Sequence, residues 1–134
     1  MDQHLTRMMR EAMPLCATLA MRTHAISPSE AVVSLEWAPE LCTSSGVLHG
    51  GVVMALADTA GAIVAMRNLP EGAAGTSTIE SKSNFLGAIR GGTVTATARP
   101  LHVGRSTIVV ETEVMNTDRL VAKVTQTQSV LQPR

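Results

Sequence analysis

The stretch GVLHGGVVMALADTAGAIVAM, residues 46–66, decides the fold, because no other segment has its hydrophobic pattern. From residue 50 onward its side chains are mainly Val, Ala, Leu, Met and Ile, and they are apolar around nearly the whole helical circumference. This pattern predicts a helix over 50–66 that is enclosed on all sides. The run also contains His49 and Asp58 and opens with glycines, which favours a buried helix of a soluble domain over a membrane span.

The segments on either side predict a sheet. We expect a short helix over 3–13, ended by Pro14, and about four strands after the long helix. The clearest strand patterns fall at residues 17–26, 30–37, 93–99, 106–115 and 120–131, with a hairpin turn at 116–118. A helix that is apolar all round, beside consecutive antiparallel strands, predicts an α+β fold with the sheet curled around the helix. The length fits one domain over residues 1–134.

Composition excludes several classes of function. The chain is 45% hydrophobic and 16% charged, with 11 basic and 11 acidic residues and a formal net charge of zero. It therefore has neither the basic field nor the aromatic residues that nucleic-acid binding uses. Cys16 and Cys42 lack metal-ligand spacing and the four histidines are dispersed, so we predict buried or idle thiols and no metal site. No secretory signal is visible, which predicts a cytoplasmic protein.

Asp58 is the strongest candidate for chemistry, because it is the only charged residue between residues 46 and 66. A carboxylate in an apolar helix is costly and is retained when it is paired, hydrogen-bonded or functional. We favour function over a structural bond to an amide or a subunit contact.

The motif His49-Gly50-Gly51 is the second candidate. Two glycines at a helix start expose backbone N–H groups and the positive end of the helix dipole. This arrangement suits an oxyanion that forms when a thioester carbonyl is attacked, although the glycines could equally serve only a tight turn. Gly51 and Asp58 share a helix face but lie ~10 Å apart along the axis. Two antiparallel helices around a two-fold axis would bring Asp58 of one chain to Gly50 and Gly51 of the other, which predicts a dimer with shared sites.

Residues 46–61 resemble the signature of hotdog-fold thioesterases of the PaaI-like (phenylacetate-degradation) group. Residues 78–86 resemble that group's strand after the helix, and Gly104-Arg105-Ser106 its turn before the penultimate strand. The similarity runs from about residue 37 to 130. It implies a hotdog fold, a homotetramer built from two dimers, and hydrolysis of acyl- or aryl-CoA thioesters without a cofactor, coenzyme A being part of the substrate.

The resemblance also implies roles for single residues. Asp58 would be the nucleophile or the general base that activates water. The amide of Gly50, with that of Gly51 as a possible second donor, would polarise the thioester carbonyl. His49 would position this turn or the thioester, and Thr78 would hold the water or the carboxylate.

Two departures from the family pattern concern the substrate. Thr43 stands where many relatives have an Asn that orients substrate or water, and a hydroxyl offers fewer donors. Gly87-Ala88 stands where relatives often have Arg-Pro, which affects nucleotide contacts. For coenzyme A, Arg105 and Ser106 after Gly104 are candidates to meet phosphate, with Arg90 a weaker one. Each arginine could equally be a solvated surface residue.

Two other functions are compatible with the sequence. A hotdog dehydratase would pair a His with a carboxylate, but its motif precedes the helix differently. A non-catalytic acyl-CoA-binding or sensor protein on the same fold is the alternative from another class, and Thr43 in place of Asn keeps it open. The sequence leaves the preferred acyl or aryl group undetermined.

Overall fold

The computed structural model describes all 134 residues and has the predicted α+β architecture. Two short helices precede the first two strands, and one long helix separates these strands from the remaining four. The elements are α1 Gln3–Ala12, α2 Pro14–Thr18, β1 Arg22–Ile26, β2 Ala31–Glu36, α3 Gly50–Met66, β3 Gly75–Phe85, β4 Thr93–Val103, β5 Thr107–Asn116 and β6 Arg119–Leu131. A short 3₁₀ turn, Pro39–Leu41, lies before α3.

All six strands form one antiparallel sheet in the order β1-β2-β4-β5-β6-β3. The long helix packs against every strand from β2 to β6. This sheet wrapped around one helix confirms the α+β fold that the residue pattern predicted and the hotdog fold that the resemblance implied. No helix of the chain combines the length and the apolarity that crossing a bilayer requires.

Alternation along the central strands builds the core beneath α3. Val94, Ala96 and Ala98 of β4 are fully buried, and Ile108 and Val110 of β5 continue the layer. Because many of these side chains are small, α3 lies close to the sheet. The core therefore needs few aromatic residues.

Three sequence expectations need correction. The strand predicted over 17–26 begins only at Arg22, because the residues before it form the helix α2, Pro14–Thr18. Pro14 occupies the first turn of that helix, where its missing N–H costs nothing. The strand predicted over 93–99 continues to Val103. The long helix has the predicted bounds, but it is not enclosed on all sides within one chain. Gly51 and Met54 are exposed, and Met54 retains 40% of its accessible surface.

Strand β3 is one edge of the sheet and pairs only with β6. Its outer edge therefore presents backbone N–H and C=O groups without partners, along eleven residues. The exposed side of α3 lies against the same strand, since Gly51, Met54 and Thr78 line one groove. One region of the molecule thus combines an open sheet edge with an open helix face.

Candidate active site

Asp58 lies midway along α3, half-buried, on the side of the helix that faces β3. The Thr78 hydroxyl donates a hydrogen bond of 2.7 Å to Asp58 Oδ1, and no Lys or Arg forms an ion pair with this carboxylate. Oδ2 has no hydrogen-bond partner in the protein. A groove of about 300 Å³ lies beside it, lined by Gly51, Met54, Ala55, Asp58, Thr78 and Ser81. The carboxylate is thus held at one oxygen and unpaired at the other.

The helix start is fixed by His49, whose backbone is extended at φ −62° and ψ 133°. The Gly51 N–H donates to His49 Nδ1 at 2.8 Å. Because a backbone amide can only donate, Nδ1 must be unprotonated, and the proton of the neutral ring is then on Nε2. The Gly50 N–H has no acceptor in the protein. Of the two candidate oxyanion donors, only the Gly50 amide is free, since the His49 ring occupies that of Gly51.

Gly50 and Asp58 lie at different places within one chain. Gly50 precedes Asp58 by eight positions, which is about 12 Å along the helix axis. Gly50 lines a separate cavity of about 320 Å³ together with Thr43, Phe85 and other mainly apolar residues. One chain by itself therefore presents the carboxylate and the free amide in two cavities.

Thr43 and Arg90 lie on the Gly50 side of the molecule. The Thr43 hydroxyl is 3.4 Å from the Ser45 hydroxyl, and Thr43 lines the Gly50 cavity. Arg90 Nη1 lies 3.5 Å from the Ser45 carbonyl oxygen, so its guanidinium is next to the same loop. Both side chains are exposed.

Gly104, Arg105 and Ser106 form the turn between β4 and β5 and line neither cavity. The Gly104 N–H donates to the Thr107 carbonyl at 2.9 Å, and the Ser106 carbonyl accepts from Val130 N–H at 2.9 Å. Arg105 is exposed and makes no ion pair. A Cβ on Gly104 would lie 2.9 Å from the Thr107 carbonyl oxygen, so this glycine has a structural reason of its own. The coenzyme A contacts of this turn stay a prediction.

Sequence reasoning missed two residues beside Asp58. Gln126 and Gln128 of β6 are 1% and 0% exposed. Gln128 Nε2 donates to Thr78 Oγ1 at 2.6 Å and also to Gln126 Oε1, and Gln126 Nε2 donates to the Ala57 carbonyl at 3.1 Å. Their place in the strand alternation could have identified them, because both glutamines occupy inward-facing positions of β6, at which the other residues are Val and Ala.

The groups with shifted pKa values lie away from this site. Burial raises the pKa of the Cys16 thiol, and a hydrogen bond with Thr59 opposes that shift. Cys16 is a buried free thiol, which agrees with the buried or idle thiol predicted for it. No three His, Cys, Asp or Glu side chains come close enough to hold a metal ion.

The helix, the wrapped sheet and the half-buried carboxylate define the class of hotdog-fold enzymes. Residues 45–123 match the thioesterase superfamily, and the chain belongs to that superfamily; it is a thioester hydrolase. A 1,4-dihydroxy-2-naphthoyl-CoA hydrolase of Listeria monocytogenes is 33% identical over 102 residues, which are 76% of this chain and 82% of that protein.

Solved structures agree with this assignment. A thioesterase of Haemophilus influenzae is 28% identical, with a TM-score of 0.82 over 88% of this chain and 82% of that one. A thioesterase family protein of Silicibacter pomeroyi is 26% identical, with a TM-score of 0.86 over 96% of each chain. The similarity to both proteins extends over nearly the whole fold.

Proposed function

We propose that this enzyme hydrolyses acyl- or aryl-CoA thioesters, with Asp58 as nucleophile or general base, as in the PaaI-like group. The observation that carries the proposal is the state of Asp58. One carboxylate oxygen is held by Thr78, the other has no partner, and a groove lies beside it. An oxygen that has no protein partner and faces a groove is available to meet a thioester or a water.

Two routes fit this geometry. In the first, Asp58 attacks the thioester carbon, the C–S bond breaks, coenzyme A leaves as thiolate, and water hydrolyses the resulting anhydride. In the second, Asp58 takes a proton from water as that water attacks, and the tetrahedral intermediate then expels the thiolate. Both routes place negative charge on the carbonyl oxygen, for which the free Gly50 N–H is the proposed donor.

The proposed active unit is a dimer. Because Gly50 and Asp58 of one chain lie about 12 Å apart along α3, one carbonyl needs them from two different chains. A two-fold axis near Met54, midway between the two residues, would place Asp58 of each chain opposite Gly50 of its partner. The same operation would pair the open edges of two β3 strands, which supports the arrangement. By the family resemblance, two such dimers form a tetramer.

The aryl or alkyl part of the substrate is proposed to lie in the Gly50 cavity. Most of its lining is apolar, and the Phe85 ring lies 3.2 Å from the place that a Cβ of Gly50 would occupy. An apolar wall next to the oxyanion donor suits a thioester whose carbonyl carries a hydrophobic group. The Listeria relative is named for an aryl-CoA, which places aryl-CoA thioesters among the substrates to test.

The test is release of free coenzyme A thiol by the wild type and by Asp58→Asn, over aryl-, short-chain and medium-chain CoA thioesters. We expect the Asn variant to lose at least about a hundredfold in kcat, because its amide is neither nucleophile nor base. Asp118→Asn, in the exposed β5–β6 turn, is the matched control and should keep wild-type turnover. Near wild-type activity in Asp58→Asn would refute the assigned role. Thermal stabilisation by the CoA thioesters without thiol release would instead favour a binding protein.

A further inference from the structure

A chain of four hydrogen bonds leads from the backbone of α3 through β6 and β3 and back to α3. It starts at the Ala57 carbonyl, passes through Gln126, Gln128 and Thr78, and ends at Asp58 Oδ1. Its two ends are therefore adjacent residues of the helix. The three side chains between them come from two neighbouring strands.

The direction of this chain is determined by its first member. A backbone carbonyl can only accept, so Gln126 must present its NH₂ group to Ala57 and its oxygen to Gln128. Gln128 must then use its own NH₂ group twice, donating to Gln126 and to the oxygen of Thr78. With its oxygen already accepting from Gln128, the Thr78 hydroxyl is directed to donate to Asp58. Each donor and acceptor follows from the one before it.

We infer that Gln128 and Gln126 are positioning residues of the active site, which orient the Thr78 hydroxyl and through it the Asp58 carboxylate. The inference rests on the proposed function, because it assigns these residues to the same reaction. With Oδ1 held in place by a hydroxyl that cannot turn away, Oδ2 is left to meet the thioester or the water.

Burial supports this role over simple packing. Both glutamines are almost fully inaccessible, at positions where β6 otherwise places Val and Ala. Gln128 Oε1 is buried without any hydrogen-bond partner. An unpaired buried polar atom is costly, and an apolar side chain of similar size would avoid that cost.

The backbone around the glutamines is adapted to them. Thr78 and Gln128 are direct partners in the β3–β6 ladder, and a bulge follows at once between Thr78 and Glu80. On the helix, Gly61 provides the space for Gln126, since a Cβ there would lie 2.0 Å from Gln126 Nε2. The sheet register and the helix surface both accommodate this chain of side chains.

The test is a double-mutant cycle on kcat with Gln128→Met and Thr78→Val. We expect Gln128→Met to lower kcat about ten- to a hundredfold with little change in KM, because displacement of a reacting group by about 1 Å has effects of that order. In the Thr78→Val background the same substitution should have no further effect on kcat, since Gln128 acts only through that hydroxyl. Thr78→Ser, which keeps the hydroxyl, should retain most of the activity.

A structural role would give a different pattern. Effects of Gln128→Met and Thr78→Val that multiply in the double variant, or wild-type kcat in Gln128→Met, would overturn the inference. Thr112→Val is the matched control, because the Thr112 hydroxyl is also buried and unpaired but lies outside the chain of hydrogen bonds. It should leave kcat unchanged.

Two further variants keep the outcome decisive. If Gln128→Met does not fold, Gln126→Met interrupts the chain one bond further from Asp58. It should lower kcat by a smaller factor, again only when the Thr78 hydroxyl is present. Asp58→Asn is measured in parallel. An active Asp58→Asn refutes the proposed function, whereas an inactive Asp58→Asn beside a fully active Gln128→Met refutes only the role of the glutamines.

Discussion

Replacement of Gly50 by proline would remove one hydrogen-bond donor from the start of α3 and leave the helix itself in place. Gly50 is the first helical residue, where proline is well tolerated because no intrahelical bond needs its N–H. A residue before proline prefers an extended backbone, and His49 already has φ −62° and ψ 133°. The substitution therefore suits the local conformation on both sides of the peptide bond.

The expected loss is in turnover rather than in stability. Removal of one oxyanion donor lowers kcat by about 10²- to 10³-fold, or roughly 2.7–4 kcal/mol of transition-state stabilisation. The new Cβ would lie 3.2 Å from the Phe85 ring, which is 53% exposed and free to move by a few tenths of an ångström. A restricted unfolded chain contributes about 0.4–1 kcal/mol in favour of the proline variant. The free energy of unfolding should thus stay close to that of the wild type.

The measurement is steady-state release of coenzyme A thiol, with urea unfolding as the check on stability. Gly50→Ala is the matched control, because it adds the same Cβ beside Phe85 but keeps the N–H. It should stay within about threefold of wild-type kcat, since the oxyanion donor is intact. Equal losses in Gly50→Ala and Gly50→Pro would mean that crowding, and not the amide, causes the defect. Wild-type turnover in Gly50→Pro would refute the assignment of this amide.

The same variant tests whether the active sites are shared. In a mixed dimer of Gly50→Pro and Asp58→Asn chains, one site receives both substitutions and the other receives an intact Asp58 and an intact Gly50. Random reassociation of equal amounts should therefore restore about a quarter of wild-type activity, although each parent is inactive. No recovery in mixtures that demonstrably exchange subunits would place both groups in one chain.

Three further outcomes are expected. Gly61→Ala should destabilise the protein by about 1–3 kcal/mol in urea unfolding, because overpacking against Gln126 outweighs the gain in helix propensity. In a Gln126→Ala background, where that contact is absent, Gly61→Ala should be stabilising. Met54→Lys should shift the sedimentation profile toward monomer and abolish turnover, because a charge would face the proposed two-fold axis. The hydrogen bond from Thr93 and the ion pair with Arg22 lower the pKa of Glu36 in the folded protein below its ordinary value of 4.5. The contribution of Glu36 to stability is therefore present above pH 4.5 and is lost as the pH falls through the lower pKa of the folded state. Thr93→Val should raise the pKa of Glu36 in an NMR titration.

Each of these expectations has a control. Gly91→Ala adds a Cβ in open space and should leave stability nearly unchanged, whereas a stabilised Gly61→Ala would contradict the close contact with Gln126. Met8→Lys changes a Met on α1 that is more exposed than Met54, and it should leave the sedimentation profile as it is. A Glu36 pKa that is the same with and without the Thr93 hydroxyl would rule out the stated cause.

The long helix, five of the six strands and the two candidate groups could be predicted from local pattern, whereas the position of β3 came from the family resemblance. The bounds of α3 follow from a continuous apolar run between a glycine pair and the polar loop after Met66, because helix formation depends on neighbours within a few residues. Asp58 stood out by its charge in that run. The predicted start of β1 was wrong, because the apolar residues after Pro14 suit a helical turn as well as a strand, and local pattern does not distinguish the two.

The hydrogen bonds of the site could not be predicted in the same way. Local pattern places Gln126 and Gln128 on a strand, and the family resemblance does the same for Thr78. The hydrogen bonds that link them to Asp58 depend on the register between β3 and β6 and on how closely α3 lies on the sheet. The bond from the Gly51 N–H to His49 is different, because it joins residues two positions apart and is a local feature of the helix start that leaves only the Gly50 amide free. The sequence by itself determined which residues form the helix and which charge it contains, because those are local properties. Which donor meets which acceptor between α3, β3 and β6 was decided by the fold, because these bonds join atoms that are distant along the chain and depend on positions to within a few tenths of an ångström.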